Sequence, residues 1–205
     1  MNIETKKQEI NDSVFYEFTK RILDIIIAVI LFIITIPFVI IFSILIKIED
    51  GGPIFYKQER LGKDRKEFFI YKLRSMKIDA EKNGAQWAEK NDSRITNIGK
   101  FIRKTRIDEL PQLINVIKGE MSIIGPRPER PMFTDEFDKK IPGFSNRLQV
   151  KPGLTGWAQV NGGYEMSPEE KFYADMYYIE NRNLLLDIKI LIKTIKVVLT
   201  GEGAR

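Results

Sequence analysis

The sequence predicts an α+β membrane protein that is mostly helical and contains a small β-hairpin. Three features predict this class: one long apolar run near the N-terminus, two β-rich runs after it, and several helix signals in the C-terminal half. The expected organisation is an N-terminal arm over residues 1–20, a proline-broken re-entrant membrane helix over residues 21–50, and a charged domain over residues 51–205 that ends in an interfacial helix.

Residues 25–46 form an apolar run of 22 residues without a charged side chain. As a straight helix at about 1.5 Å per residue, the run would extend roughly 33 Å, about the thickness of a bilayer's hydrocarbon core. Pro37 lies in its middle, where a proline removes one backbone hydrogen bond and bends the helix. The run is therefore long enough to span a membrane, and its two arms also suit a segment that enters and returns.

Basic residues flank the run on both sides. Lys20 and Arg21 precede it, and Lys47 and Lys57 follow it. Because Lys and Arg near a membrane segment prefer the cytoplasmic side, we expect both ends there, joined by a re-entrant hairpin. A single-pass helix with a tolerated proline remains open. A cleaved signal peptide is disfavoured, since the run is long and no small-residue cleavage site follows it.

Composition restricts the partners and the chemistry. The chain has 205 residues, 30% of them charged, and a net charge of +5, which favours an anionic partner such as lipid head groups or substrate phosphates. Nucleic acid is the least favoured partner, because the cations are dispersed and no aromatic stacking platform accompanies them. The absence of cysteine and histidine excludes disulfides and the commonest general base. Carboxylates, lysine, arginine, hydroxyls and a hard metal ion remain.

The region after the apolar run predicts a hairpin followed by short helices. Two β-rich runs, at residues 54–58 and 68–74, are separated by a glycine-containing turn and predict antiparallel strands. A polar loop is expected over residues 77–93. Two short helices are predicted at residues 98–103 and 113–118, each bordered by glycine.

Two longer helices are predicted near the C-terminus. Ser167 and Glu170 form a capping box with proline at the first helical position, which predicts a helix to about residue 181. Residues 184–199 are mostly apolar, and their three lysines are spaced to share one side of a helix: Lys189, Lys193 and Lys196. This pattern suits an interfacial amphipathic helix, and a core helix with a solvated lysine face is the alternative. The same helix also suits a homodimer contact.

Asp108 and Glu109 are adjacent carboxylates that follow a cationic segment and precede a predicted helix start at Pro111. Nearby cations keep a carboxylate ionised, and an ionised Asp can act as a nucleophile or bind a divalent cation. A structural interpretation is also open, because Thr105 and Asp108 have the spacing of a capping box.

Two further segments could present cations to a phosphate. Prolines fix the backbone of the loop at residues 125–131, from which Arg127 projects. Lys72 and Arg74 alternate along the second β-rich run and so share one face. A stiff surface turn with solvated arginines is the simpler interpretation of the loop, whereas the face of Lys72 and Arg74 suits either a phosphate or solvent. The glycine-rich segment at residues 151–163 suits either a substrate loop or a turn packed by Trp157.

The order of these motifs resembles the bacterial sugar transferases that are monotopic polyprenyl-phosphate phosphoglycosyltransferases, also described as undecaprenyl-phosphate sugar phosphotransferases. The resemblance covers nearly the whole chain from Lys20 onwards. It is carried by the following segments as they stand here: Lys20-Arg21 with Asp24, the apolar run with its proline, Tyr71-Lys72-Leu73-Arg74-Ser75-Met76, Asp108-Glu109-Leu110-Pro111-Gln112-Leu113, Gly125-Pro126-Arg127-Pro128, Lys151-Pro152-Gly153 to Gly162, and Leu186-Asp187 to Lys193.

The resemblance implies that a UDP-sugar donates its phosphosugar to a polyprenyl phosphate at the cytoplasmic face of the bacterial inner membrane, releasing UMP and initiating assembly of a membrane-bound glycan. Residues 51–205 would then be a cytoplasmic catalytic domain. Asp108 would be the nucleophile and a ligand of Mg²⁺, Glu109 would assist it, and the re-entrant helix is likewise a family feature. The substrate-binding residues implied are Lys72, Arg74, Arg127, Pro126 and Gln112.

Two departures from the family pattern accompany the resemblance. Family members commonly have an arginine where Gly163 stands, and many have a multi-helix region before the catalytic part, so the sequence indicates a compact enzyme. Two other functions remain open: a non-catalytic membrane-anchored basic scaffold, which would not need Asp108, and a glycosyltransferase that moves only the sugar and releases UDP.

Overall fold

The computed structural model describes residues 13–82, 84 and 92–200, except for the side chain of Tyr164. Parts of two predicted segments lie outside the described residues: residues 1–12 of the arm, and residues 83 and 85–91 of the loop. The helices are α1 Val14–Asp50, α2 Asn97–Lys104, α3 Leu113–Lys118, α4 Pro131–Lys140, α5 Trp157–Asn161, α6 Pro168–Asn181 and α7 Leu184–Thr200. The strands are β1 Phe55–Leu61, β2 Glu67–Leu73, β3 Ser122–Ile124 and β4 Gly153–Thr155. Short 3-10 segments lie at Lys63–Arg65, Ile107–Gln112, Phe144–Gln149 and Gly163–Glu165.

The apolar run lies within α1, a helix of 37 residues that begins at Val14, inside the segment assigned to the arm. Pro37 lies inside this helix, which continues to Asp50. Gly51 ends it in the left-handed conformation (φ 71°), and its backbone N–H donates to the carbonyl oxygen of Lys47 (3.0 Å). Glycine reaches this conformation at little cost, and the helix ends at residue 50, as the sequence predicted.

Both ends of α1 are bound to the same folded body. Near the start, Asp24 Oδ1 accepts from Ser122 Oγ (3.0 Å) and from the backbone N–H of Ile123 (2.9 Å). Near the end, Glu49 Oε1 accepts from the backbone N–H of Asn97 (2.8 Å). The body therefore contacts the membrane segment on both sides of Pro37.

The middle of α1 is largely exposed and makes few contacts with the body. Only 6% of its most apolar 18-residue window is buried, although the helix is long and apolar enough to cross a membrane. Ala28 packs into the core with no exposed surface, whereas much of the remaining helix surface is exposed Ile, Leu, Val and Phe. An exposed apolar surface of this length supports membrane association.

The predicted hairpin is confirmed. Strands β1 and β2 pair antiparallel, with Phe55 opposite Leu73 and Leu61 opposite Glu67. A second pairing was not predicted: β3 and β4 run parallel, with Ser122 opposite Gly153 and Ile124 opposite Thr155. The carboxyl ends of these two strands lie at the same edge, which brings their following loops together.

The predicted helices in the body are also confirmed. Helices α2 and α3 lie where the glycine-bordered patterns place them, and α6 begins with both hydrogen bonds of the Ser167–Glu170 capping box. In α7, Lys189 and Lys193 lie over the ring of Trp157, with ammonium-to-centroid distances of 5.4 and 4.9 Å. The outward surface of α7 is an apolar stripe, which consists of Leu185, Ile188, Ile192, Ile195 and Leu199.

Candidate active site

A cavity of about 350 Å³ lies between the hairpin, the 3-10 segment at 107–112, the loop after β3, and helices α4 to α6. Ten of its lining residues are cationic and five are acidic. The cations are Arg60, Lys72, Arg74, Lys77, Arg103, Arg106, Arg127, Arg130, Arg147 and Lys171, and the acids are Glu81, Asp108, Glu109, Glu129 and Asp175. This excess of positive charge in a concave site suits an anionic ligand.

The chain places Asp108 and Glu109 in this cavity through a tight turn. Arg106 adopts a positive φ of 57° just before the 3-10 segment, and both carboxylates that follow are buried. The capping alternative is not supported, because the segment has no side-chain cap and Thr105 Oγ1 donates to the carbonyl oxygen of Phe101 (2.9 Å).

Glu109 is held by two cations from distant parts of the chain. Lys72 Nζ donates to Glu109 Oε1 (2.8 Å), Arg127 Nη2 donates to the same oxygen, and Arg127 Nη1 reaches Oε2 (3.4 Å). Burial raises the pKa of Glu109, but Arg127 and Lys72 together more than offset it and hold the pKa well below its usual value. Glu109 is therefore an ionised bridge between β2 and the loop after β3.

Asp108 has a different electrostatic environment from its neighbour. Burial is the largest influence on the pKa of Asp108, and repulsion from the Glu109 carboxylate is the second; together they raise the pKa to about 6. Lys72, Arg103 and Arg127 lower the pKa but do not offset this increase. Lys72 and Arg127 both form their ion pairs in the cavity with Glu109, the neighbour of Asp108. Asp108 is thus a carboxylate that is mostly ionised at neutral pH yet poorly stabilised, which suits a nucleophile.

The other predicted substrate-binding residues are placed differently. Arg74 lines the cavity, but its guanidinium pairs with Asp50 and donates to the carbonyl oxygen of Pro53 (2.5 Å), so it also fixes the end of α1. Gln112 and Pro126 are buried outside the described lining. Pro126 contributes its carbonyl oxygen, which accepts from the backbone N–H of Gly153 (2.9 Å). Direct substrate contacts by these three residues stay predictions.

The chain matches the bacterial sugar transferase family over residues 15–201. It belongs to this family. It is 49% identical over 196 residues to a UDP-N-acetylgalactosamine-undecaprenyl-phosphate N-acetylgalactosaminephosphotransferase of Aeromonas hydrophila, a match that covers 94% of this chain and 46% of the relative. It is 40% identical to an undecaprenyl-phosphate galactose phosphotransferase of Salmonella typhimurium, covering 91% of this chain and 42% of the relative.

A relative of more similar length is an uncharacterized sugar transferase of Bacillus subtilis, which is 40% identical over 90% of this chain and 89% of its own length. By contrast, the chain spans less than half of the Aeromonas and Salmonella relatives. The Aeromonas and Salmonella relatives are both named as undecaprenyl-phosphate sugar phosphotransferases, and the resemblance stated from the sequence motifs is confirmed.

Several lining residues of this sugar transferase were missed by the sequence analysis. Arg147 forms a buried ion pair with Asp175, and its Nη2 also donates to the carbonyl oxygen of Arg127 (3.0 Å), which positions the loop after β3. Arg60 donates to the next carbonyl of that loop, Pro128 (3.0 Å). These residues lie far apart in sequence and carry no local motif, so only the tertiary fold reveals them.

Metal binding in the cavity would depend on Asp108. Among the residues that the structure describes, no group of three or more His, Cys, Asp or Glu side chains is placed to hold a metal ion. Mg²⁺ often binds through one or two carboxylates together with substrate phosphates and water. Asp108 meets this requirement, whereas both oxygens of Glu109 accept from cations. The donors fit a Mg²⁺ shared with a phosphate substrate rather than a dedicated protein cage.

Proposed function

We propose that this chain transfers a sugar 1-phosphate from a UDP-sugar to undecaprenyl phosphate at the cytoplasmic face of the bacterial inner membrane, releasing UMP. The observation that carries the proposal is the buried Asp108 beside the cation-bound Glu109 in a cationic cavity. The relatives named as undecaprenyl-phosphate sugar phosphotransferases support the acceptor and the reaction class. The product is a lipid-linked sugar, which suits the first step in assembly of a membrane-bound glycan.

The reaction proceeds in two displacements at one phosphorus. The Asp108 carboxylate attacks the β-phosphorus of the UDP-sugar, the bond to the bridging oxygen breaks, and UMP leaves with that oxygen. A phosphate oxygen of undecaprenyl phosphate then attacks the same phosphorus, which breaks the aspartyl–phosphorus bond and restores Asp108. The product is undecaprenyl diphosphate-sugar, and no net charge or atom is lost.

The cavity residues have separate roles in this scheme. Lys72 and Arg127 are placed to attract the diphosphate while they hold Glu109 ionised next to the nucleophile. Arg60 and Arg147 fix the loop that carries Arg127. When bound, Mg²⁺ supplies charge neutralisation on the diphosphate, with Asp108 as its candidate protein ligand.

The position of the helix α1 supports a re-entrant membrane segment. Both of its ends bind the same body, through Asp24 at one end and Glu49 at the other, and the apolar stretch between them is exposed. A helix that crossed the bilayer fully would have to carry one of these contact regions to the opposite side. Pro37 lies within α1, and a proline inside a helix is a common cause of the bend that a return requires.

Cysteine labelling tests this topology cleanly, because the chain contains no native cysteine. Ser13→Cys precedes α1, and Lys139→Cys lies on the exposed surface of the body. We expect a membrane-impermeant maleimide to label neither in intact cells and both after permeabilisation. Labelling of Ser13→Cys alone in intact cells would show a crossing helix.

Separate quantification of UMP and UDP tests the reaction. Purified protein is mixed with Mg²⁺, undecaprenyl phosphate and a panel of UDP-sugars. We expect UMP to appear with at least one sugar and to disappear in Asp108→Asn, which keeps the side-chain volume. UDP in place of UMP would indicate sugar transfer alone, and neither product across the panel would favour the scaffold function.

The covalent step has its own readout. Without the acceptor, the wild-type protein should release at most one equivalent of UMP and gain the mass of one phosphosugar. A matched control is Glu129→Gln, which removes another carboxylate from the cavity lining without touching the nucleophile. Turnover by Asp108→Asn at a rate near that of the wild type would exclude the aspartyl intermediate.

A further inference from the structure

Gln159 has a side-chain amide that is buried beside the cavity and lacks a hydrogen-bond partner. Both Nε2 and Oε1 are shielded from solvent without a partner among the described residues, and the residue lines the cavity. Native structures leave few buried polar groups unpaired, so an amide with both of its groups unpaired beside the cavity is a candidate ligand contact.

The backbone that carries Gln159 is locked against the loop that carries Arg127. The backbone N–H of Gly125 donates to the carbonyl oxygen of Thr155 (2.9 Å), where the carboxyl ends of β3 and β4 meet. A Cβ on Gly156 would lie 2.1 Å from the carbonyl oxygen of Gly125, so the two loops pack with no room for a side chain there. The backbone at the start of α5 is therefore held at a fixed position relative to the loop that carries Arg127.

The walls of the cavity differ in chemistry. Near Gln159, the residues from α5, α6 and the turn between them are small or polar: Ala158, Gly163, Lys171 and Asp175. The aromatic and apolar side chains of the lining come mainly from β1, the segment after β2, and α4: Tyr56, Met76, Ile78 and Phe133. The same elements also contribute Gln58, Arg60, Lys77 and Glu81. Aromatic faces suit a nucleobase, whereas an amide with one acceptor and two donors suits the hydroxyls of a sugar.

We propose that Gln159 is a specificity-determining residue that binds the sugar ring of the donor. Its Oε1 accepts from one ring substituent and its Nε2 donates to another, while the aromatic side chains of the lining take the uracil. This inference rests on the proposed function, because it takes the ligand to be a UDP-sugar. The pair of complementary groups makes the amide sensitive to the position and orientation of ring hydroxyls.

Calorimetric binding to the full chain in lipid nanodiscs tests the inference. Asp108→Asn serves as the background, so that donor binds without reacting. Binding of UDP is compared with that of UDP-glucose, UDP-galactose and their two N-acetylamino counterparts, with Mg²⁺ present. Gln159→Met keeps the side-chain length and removes the amide, Gln159→Ala is a second variant, and Asn181→Ala removes an exposed amide at the end of α6 as the control.

We expect Gln159→Met to weaken the tightest UDP-sugar at least about tenfold and to change UDP binding less than about twofold. The control should leave both unchanged. Equal weakening of UDP and UDP-sugar, or no change in either, would overturn the inference. A residue that serves only the fold would not alter the ratio of the two affinities.

Wild-type UMP release on the same panel separates this inference from the reaction itself. One outcome is that a UDP-sugar binds Asp108→Asn but the wild-type protein releases no UMP from it. This outcome would overturn the proposed reaction and leave the Gln159 result unaffected. UMP release with unchanged binding ratios in Gln159→Met would overturn only the role of Gln159. No binding of any UDP-sugar to Asp108→Asn, together with no UMP release by the wild-type protein, would overturn both.

Discussion

Acidification should slow UMP release with a midpoint set by Asp108. The nucleophile must be ionised, and its pKa of about 6 means that protonation removes activity as pH falls through that value. With that pKa, about 97% of Asp108 is ionised at pH 7.5 and about 9% at pH 5, so the rate should fall roughly tenfold. A carboxyl with an ordinary pKa would show almost no loss over this range.

The first half-reaction is the appropriate assay. Single-turnover UMP release, with protein in excess and no undecaprenyl phosphate, removes the acceptor phosphate, whose second ionisation lies in the same pH range. Far-ultraviolet circular dichroism at each pH checks that the fold persists. The measured midpoint then reports on the protein and not on the acceptor.

Glu109→Gln should move this acid limb to lower pH. The substitution removes the repulsion that raises the pKa of Asp108, and it releases Lys72 and Arg127 to stabilise the Asp108 carboxylate. The absolute rate is expected to fall, so the informative quantity is the ratio of rates at pH 5 and pH 7.5, which should rise towards one. Glu129→Gln is the control, because Glu129 pairs with Arg60 (3.4 Å) instead.

Two results would refute the reasoning. A rate that is flat between pH 5 and 7.5 would mean that no group with a raised pKa has to ionise for UMP release. An acid limb with the same midpoint in wild type and Glu109→Gln would mean that the adjacent carboxylate does not control it.

Three further predictions concern stability and membrane contact. Asp108→Asn should unfold at a higher temperature than the wild type at pH 7.5. The folded protein raises the pKa of Asp108 from 3.8 to about 6, which costs the ionised folded state up to about 3 kcal/mol. The difference in unfolding temperature should shrink below pH 6, where Asp108 becomes protonated. Asp175→Asn should lower the unfolding free energy by about 3–5 kcal/mol, since it leaves Arg147 buried without its carboxylate; denaturant unfolding measures this, and a loss under 1 kcal/mol would contradict it. Ile192→Asp on the outward stripe of α7 should reduce flotation with liposomes more than Lys196→Gln, and equal flotation would exclude lipid contact there.

The elements that the sequence predicted correctly are those with local signals. The β1–β2 hairpin, the helix after Ser167 and the stop at Gly51 follow from alternation, capping and glycine chemistry within a few residues. The β3–β4 pair was missed because each strand has three residues and the two are far apart in the chain. Short parallel pairs of this kind carry no periodic signal that a single sequence reveals.

The same distinction applies to the candidate site. The sequence identified Asp108 and Glu109 as a pair but could not separate them, because the difference comes from Lys72 and Arg127, which lie 37 and 18 residues from Glu109. The alternation that placed Arg74 on the face of Lys72 agrees with their shared cavity wall. It could not show that Asp50 at the end of α1 binds the Arg74 guanidinium.

The membrane helix is part of the hydrophobic core rather than a detachable anchor. Ala28 packs with Leu113 and Val116, and Ile46 packs with Leu73 and Ile102, so each arm of α1 completes one of the two apolar clusters of the body. A shortened chain that starts at residue 51 would leave both clusters open to water. Removing α1 would therefore expose apolar core surface of the body to water, and we expect the shortened chain to fold poorly.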